Sequence, residues 1–197
     1  MTMRWRVGTL RPPTAPVERR VIKFGGSLLT RPEWPEDLLD LVGSSRGSTT
    51  IVAGGGPVVD GLRAIDAACP RPAEVMHALA IEAMRVTARL VAEATGLPLV
   101  GEPEGRESAV VLDAARWLAR ESPRRKLPAG WDVTSDSIAA MVARELAATL
   151  VLAKRVRPPV DDLAGLAAAG WVDAHMPTAA AGLPGILWAV PCDEARG

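Results

Sequence analysis

Three short apolar runs decide the fold of this chain. RVIKFGGS (Arg20–Ser27) begins with β-branched residues and stops at two glycines, and TTIVAGGGP (Thr49–Pro57) has the same form but stops at three glycines and a proline. A third run, TLVLAK (Thr149–Lys154), ends in a lysine. Such runs predict buried strands, and the glycines predict tight turns directly after the first two.

Helical segments separate these strands. The longest has apolar residues at spacings of three and four between Ala73 and Thr95. We predict strands over Arg20–Phe24, Thr49–Ala53, Leu97–Val100, Val110–Asp113, Thr149–Ala153 and Ile186–Val190, with helices over Pro35–Val42, from Pro57, and over Ala73–Thr95, Ala114–Ala119, Ser137–Ala148 and Leu163–Ala169. This alternation predicts an α/β fold in which helices sandwich a mostly parallel central sheet in three layers.

The length of 197 residues fits one domain, which we expect to span residues 18–197. The prolines at 12, 13 and 16 predict a flexible lead-in over residues 1–17, and its lack of a continuous apolar core is unlike a secretory signal. No apolar run reaches the length of a membrane-spanning helix. The two cysteines, Cys69 and Cys192, are far apart in sequence, which favours free thiols and a cytoplasmic location.

The charge pattern argues against a nucleic-acid partner. The 23 basic and 23 acidic residues cancel, and no basic stripe is present. A compact basic cluster remains compatible with a small anion site.

The ends of the predicted strands carry the residues suited to anion chemistry. Glycines after a strand let backbone N–H groups approach phosphate oxygens, and Lys23 places an ammonium group beside the first turn. The alternatives are a structural turn at Gly25-Gly26 and a flexible loop at Gly54–Gly56. Neither segment has the P-loop or the dinucleotide-binding spacing.

A polar segment, Thr134-Ser135-Asp136-Ser137, precedes the last long predicted helix. Helix capping would explain one of these residues. Their density also fits a carboxylate that holds catalytic lysines and hydroxyls that bind phosphate oxygens. Lys154, at the end of its strand, is either a solvated residue or a second cation facing the crevice of Lys23, because ligands of parallel sheets bind at the carboxyl ends of the strands.

These motifs, in this order, resemble the amino-acid-kinase family, which includes acetylglutamate, aspartate, uridylate and isopentenyl-phosphate kinases. The resemblance implies an ATP-dependent kinase that uses Mg²⁺, acts on a small-molecule phosphoryl acceptor and forms a homo-oligomer, with no metal ligand from the chain assigned. It assigns catalysis to Lys23, Asp136 and Lys154, and ATP binding to Gly25, Gly26, Ser27 and Ser135. It assigns acceptor binding to Gly54, Gly55, Gly56 and Thr134.

A closer resemblance concerns Ala73–Leu90 and Trp131–Ala140, which look like the kinases of methanofuran biosynthesis. Those enzymes phosphorylate aminomethylfuran-methyl phosphate, whose ends are an amine and a phosphate. The resemblance implies that Asp60 pairs with the amine, Arg63 binds the acceptor phosphate and His77 lines the pocket, although a lone histidine on a helix is more often a packing or surface residue. The basic run 124–126 is either a phosphate clamp or a solvated loop.

Two questions stay open at this stage. The segment Arg155–Asp162 matches only loosely the family run that borders the nucleotide base, so the base site is undefined. The acceptor could instead be a carboxylate or a nucleoside monophosphate, or the chain could be a non-catalytic relative that binds nucleotides or anions.

Overall fold

The computed structural model describes residues 4–44, 47–104, 108–120, 122 and 125–192. Within these residues the chain forms seven strands and seven α-helices. The strands are β1 (Trp5–Arg11), β2 (Arg19–Phe24), β3 (Ser48–Ala53), β4 (Leu99–Val100), β5 (Ala109–Leu112), β6 (Thr149–Ala153) and β7 (Ile186–Pro191). The helices are α1 (Trp34–Gly43), α2 (Gly56–Ala68), α3 (Ala73–Thr95), α4 (Ala114–Leu118), α5 (Ser135–Glu145), α6 (Leu163–Ala168) and α7 (Met176–Ala179), and a 3₁₀ turn covers Gly26–Thr30.

All seven strands belong to one sheet in the order β1-β7-β6-β2-β3-β5-β4. Every neighbouring pair is parallel except β1 with β7. Helices cover both faces, so the predicted three-layer α/β fold is confirmed. The strand β2 lies between β3 and β6, which brings the three runs quoted first in the sequence side by side at the centre of the sheet.

The N-terminal segment differs from its prediction. Instead of a flexible lead-in, Trp5–Arg11 forms the edge strand β1, paired in antiparallel register with β7. Trp5 is 3% exposed, and its Nε1 donates a hydrogen bond to the carbonyl oxygen of Asp37 at 2.7 Å. The prolines that follow β1 only end the strand, because proline has no backbone N–H group to continue the pairing.

Strand alternation sorts the side chains of β2 between two cores. Ile22 and Phe24 pack in the core beneath α1 and the second half of α3. Val21 packs in the opposite core with α5, α6 and α7, and Lys23 points to that same side because side chains two apart share a face. This alternation therefore aims Lys23 at α5, whose residues from Ser135 to Ala143 are all buried.

Four of six apolar residues that recur at helical spacing in α3 do not reach the core. Met76 and Ala83 are buried, whereas Val75, Leu79, Val86 and Leu90 are exposed. The observed bounds of α3 equal the predicted ones, so the periodicity located the helix but not which of its apolar residues pack inside. Among the described residues no helix is long and apolar enough to cross a membrane.

The two glycine turns at the centre of the sheet pack directly against each other. A Cβ atom added to Gly26 would lie 2.1 Å from the backbone nitrogen of Gly56, and one added to Gly54 would lie 2.6 Å from the backbone nitrogen of Gly26. Gly56 also has a φ of +53°, which favours glycine. Glycine is therefore required here by backbone-to-backbone contact, whether or not a ligand is bound.

We predict that Gly26→Ala destabilises the protein by about 2 kcal/mol or more, since the new methyl group overlaps backbone that cannot rotate away. The matched control is Gly61→Ala in α2, where nothing lies within 4 Å of an added Cβ. This control should gain about 0.5–1 kcal/mol of stability, because alanine is the better helix former. Urea unfolding of both variants measures the difference, and equal stability of the two would contradict the packing described.

Candidate active site

One carboxylate joins the two lysines that the sequence singled out. Asp136 Oδ1 lies 2.9 Å from Lys23 Nζ, and Asp136 Oδ2 lies 2.9 Å from Lys154 Nζ. The contact to Lys154 is a hydrogen bond, whereas the contact to Lys23 is an ion pair without hydrogen-bond alignment. The structure thus brings together Lys23, Asp136 and Lys154, hereafter the lysine–aspartate triad.

Three central elements place the triad. Lys23 is the penultimate residue of β2, and Lys154 follows β6, which runs parallel beside it in the register Phe24 to Ala153. Asp136 lies in the first turn of α5, which covers the face toward which Lys23 points. The ammonium group of Lys154 also donates a hydrogen bond to the carbonyl oxygen of Trp171 at 2.6 Å, and it lies 5.0 Å from the centre of that indole ring.

The triad is buried and carries one uncompensated positive charge. The side chains of Lys23, Asp136 and Lys154 are 6%, 5% and 14% exposed. Burial opposes the charge of Asp136, yet the two ammonium groups outweigh it and hold the pKa of this carboxyl below its ordinary value. Burial, helped by the charge of Lys23, lowers the pKa of Lys154 from 10.5 to about 8. Such a site attracts an anion.

A cavity of about 240 Å³ opens beside the triad. The residues predicted to bind ATP or acceptor all line it, as do both lysines, while Asp136 lies behind them. The lining residues from this set are Lys23, Gly25, Gly26, Ser27, Gly54, Gly55, Gly56, Asp60, Arg63, His77, Thr134, Ser135 and Lys154. Residues separated by up to 131 positions in sequence therefore share one cavity; their individual roles remain predictions.

The hydroxyl groups before α5 have different partners. The hydroxyl of Thr134 donates a hydrogen bond to Asp173 at 2.8 Å, and that of Ser137 also donates to Asp173. Asp173 further accepts hydrogen bonds from the backbone N–H groups of both residues, so it caps α5 from a distant loop. Ser135 is the hydroxyl of this segment that lines the cavity without a hydrogen bond to another described residue.

Asp173 and Trp171 were not predicted from the sequence. Both lie between α6 and α7, in a segment whose one local signal, Gly170 with a φ of +67°, marks the end of α6 and not a site. Their roles arise only when the chain folds back onto α5 and β6. No signal in the sequence marks them.

The far end of the cavity is formed by α2, α3 and the loop before α5. The carboxylate of Asp60, which was predicted to pair with an amine, pairs here with Arg63 Nη1 at 3.1 Å on the exposed side of the cavity. The guanidinium of Arg63 lies 5.1 Å from the ring centre of Trp131. Nδ1 of His77 is 3.3 Å from the carbonyl oxygen of Gly130, which ties α3 to the same loop.

The basic run 124–126 divides into separate environments. Arg125 is bound to Glu102 at 2.7 Å, is ion-paired with Glu145 and stacks on Trp117, so it anchors the loop to the protein body. Lys126 is exposed. Arg124 lies outside the described residues. For Arg125, a phosphate clamp is therefore the wrong prediction, because two carboxylates bind all three nitrogens of its guanidinium and its side chain is only 10% exposed.

The segment after Lys154 lies on the surface beside the first glycine turn. Nη1 of Arg155 is 3.4 Å from Thr30 Oγ1, and the indole N–H of Trp171 donates to the carbonyl oxygen of Val156 at 3.2 Å. Val156 and Val160 are exposed. A nucleotide base placed here would meet an open apolar surface rather than a closed pocket.

Within the described residues no group of three or more His, Cys, Asp or Glu side chains could hold a metal ion. Asp136 has both oxygens committed to lysines. The donor set of the chain therefore fits Mg²⁺ only as an ion held chiefly by a ligand such as a nucleotide, which is its usual manner of binding in phosphoryl-transfer sites.

Comparisons with known proteins agree with a kinase-type fold for this chain. Comparison with curated protein sequences gives no match. Among solved structures, UMP kinase from Ureaplasma parvum aligns with a TM-score of 0.59 at 14% identity, covering 85% of this chain and 87% of that one. UMP kinase from Bacillus anthracis aligns with a TM-score of 0.51 at 14% identity, covering 74% and 68%. At such identities the likeness shows the fold.

Uridylate kinase from Archaeoglobus fulgidus aligns with a TM-score of 0.49 at 16% identity, over 70% of this chain and 64% of that one, so this chain spans less than two thirds of its length. The model of the amino acid kinase family matches residues 18–157, which is more than half of the chain and includes the whole lysine–aspartate triad. The chain therefore belongs to the amino acid kinase family.

Proposed function

We propose that this chain is an ATP-dependent kinase that transfers the γ-phosphoryl group to an oxyanion of a small phosphomonoester. The observation that carries the proposal is the lysine–aspartate triad, which opens onto a cavity lined by two glycine turns. Two buried ammonium groups held by one carboxylate give a net charge of +1 where a phosphoryl group would pass. Phosphoryl transfer depends chiefly on such positioning and charge stabilisation.

Each member of the triad has a distinct proposed role. Lys23 and Lys154 stabilise negative charge on the transferring group from two sides, and Asp136 sets the distance between them. Lysine suits this task because its ammonium group is a compact charge on a flexible stem. The chain contains three lysines, Lys23, Lys126 and Lys154, so two of the three meet at Asp136.

The nucleotide would occupy the side of the cavity formed by Gly25, Gly26, Ser27 and Ser135. Mg²⁺ would be held mainly by the phosphates, and it would supply further charge neutralisation there. The exposed segment from Arg155 onward lies next to this side. An open base site of this kind favours weak discrimination between nucleotide bases.

The acceptor would occupy the side formed by Gly54–Gly56 and Arg63. Helix α2 begins at Gly56 without a side-chain cap, so its first N–H groups and its dipole favour an anion there. Val59, Ile81 and Met84 add an apolar wall. We propose aminomethylfuran-methyl phosphate as the acceptor suggested by the closer sequence resemblance, and UMP as the one suggested by the names of the fold neighbours.

We predict that Lys154→Ala lowers kcat by about 100-fold to 1,000-fold, because one such charge contact in a transition state contributes roughly 3 kcal/mol. The matched control is Lys126→Ala, which removes the exposed lysine and should leave turnover unchanged. ADP release from Mg-ATP in the presence of an acceptor measures both variants. Equal activity of the Lys154 variant and the wild type would contradict the proposed role.

A second prediction concerns pH. With the pKa of Lys154 at about 8, the protonated form that binds phosphate is lost as the pH rises through that value. We therefore expect kcat/KM for ATP, which reports on the free enzyme, to fall by about tenfold per pH unit above pH 8. Lys154→Arg should be slower but should lack this alkaline decline, because arginine stays charged. A flat wild-type profile up to pH 9.5 would count against the assignment.

A third prediction concerns the acceptor. Among aminomethylfuran-methyl phosphate, UMP, acetylglutamate and aspartate, we expect ADP release with a phosphomonoester and not with the carboxylates. ADP release with a carboxylate and not with a phosphomonoester would contradict the proposed acceptor and would indicate a carboxylate kinase of the same family. Binding of ATP without ADP release on any acceptor would identify a non-catalytic relative.

A further inference from the structure

The loop before α5 makes a set of contacts at the mouth of the cavity that the proposed chemistry does not use. The indole Nε1 of Trp131 donates a hydrogen bond to Asp66 Oδ2 at 2.8 Å, and Asp66 Oδ1 accepts one from the backbone of Arg71 at 3.0 Å. The ring of Trp131 also lies against the guanidinium of Arg63. The indole of Trp131 is thus held by a hydrogen bond from its N–H group, and the face of its ring packs against the guanidinium of Arg63.

The cation that Trp131 covers is the one aimed at the acceptor. Asp60, Arg63 and Asp66 follow one another at spacings of three along α2, so each lies one turn from the next. Asp60 holds one edge of the guanidinium of Arg63, and Trp131 holds its face. An arginine this exposed would otherwise sample many rotamers, and binding a ligand would cost the entropy of fixing one of them. Contacts that restrict the side chain before the ligand binds remove much of this cost.

The loop itself is fastened on both sides of Trp131. Arg125 anchors it to Glu102 and Glu145, and Thr134 anchors it to Asp173. The carbonyl group of Gly130 adds the contact to His77 on α3. The position of the indole is therefore set by the protein body and not by Arg63 alone, so Trp131 can act on Arg63 rather than merely follow it.

We propose that Trp131, oriented by Asp66, is a positioning residue that holds Arg63 ready for the anionic group of the acceptor. The inference rests on the proposed function, since it assigns Arg63 to the acceptor side of the cavity. Trp131 acts through Arg63 and needs no contact with the reacting atoms. Asp66 does not line the cavity, and its side chain contacts a cavity residue through its hydrogen bond to Trp131, while its other oxygen accepts from the backbone of Arg71.

The test is a double-mutant cycle on the binding of methyl phosphate, a minimal phosphomonoester, in the presence of Mg²⁺ and a non-hydrolysable ATP analogue at saturation. Titrations followed by NMR or calorimetry give the dissociation constants. We expect Trp131→Ala to weaken binding of methyl phosphate about fivefold, in the range of an arginine–indole contact. Trp131→Phe, which keeps a ring under the guanidinium, should lose less. Asp66→Ala should lose affinity although every cavity residue is kept.

The decisive variant combines Trp131→Ala with Arg63→Ala. If Trp131 acts through Arg63, the double variant binds methyl phosphate no more weakly than Arg63→Ala does, and the affinity for the ATP analogue is unchanged in all of these variants. Additive losses would overturn the proposal, and so would an unchanged affinity in Trp131→Ala or no binding of methyl phosphate by the wild type. Failure of the ATP analogue to bind the wild type would instead overturn the proposed kinase function.

Discussion

The structure depends on the pairing of one buried carboxylate, Asp136, with two ammonium groups that arrive from separate strands. Taking three charges out of water is costly, and removal of one partner from such a buried cluster commonly destabilises a protein by about 3–5 kcal/mol. A hydrophobic core of the same volume would avoid this cost. The cluster is unbalanced by one positive charge, and burial lowers the pKa of Lys154 to about 8. A site that retains charge against such a cost is consistent with a role in binding an anion.

The order of the strands in the sheet brings together the three chain segments that surround this cluster. Because β2 lies between β3 and β6, the first glycine turn, the second glycine turn and Lys154 emerge at one edge. The close contact of Gly26 with Gly54 and Gly56 then fixes the two turns relative to each other. The same glycines that leave the cavity open are thus required for packing. Glycine is needed at these positions both for stability and for access of a ligand.

Much of this could be predicted from the sequence because its signals are local. Apolar runs ending in glycine located β2 and β3, helical spacing located α3, and motif order brought Lys23, Asp136 and Lys154 into one hypothesis. What could not be predicted depends on distant contacts. The pairing of β1 with β7, the cap that Asp173 places on α5, and the ion pairs that occupy Arg125 each join segments whose proximity no local pattern encodes. The pairing of Asp60 with Arg63 could not be predicted for another reason. Two residues three positions apart on a helix are close enough to form an ion pair, but this spacing does not require one.

The most direct test of the account is NMR of the chain labelled with ¹⁵N only at lysine. Three lysines give three ammonium signals, which can be assigned from Lys126→Ala and Lys154→Arg. The account predicts that the Lys154 signal titrates near pH 8 in the free chain and that an ATP analogue with Mg²⁺ shifts the signals of Lys23 and Lys154 while leaving Lys126 unchanged. Titration of Lys154 near pH 10.5, or a nucleotide that perturbs neither buried lysine, would contradict the central claim that these two ammonium groups form the phosphoryl-transfer site.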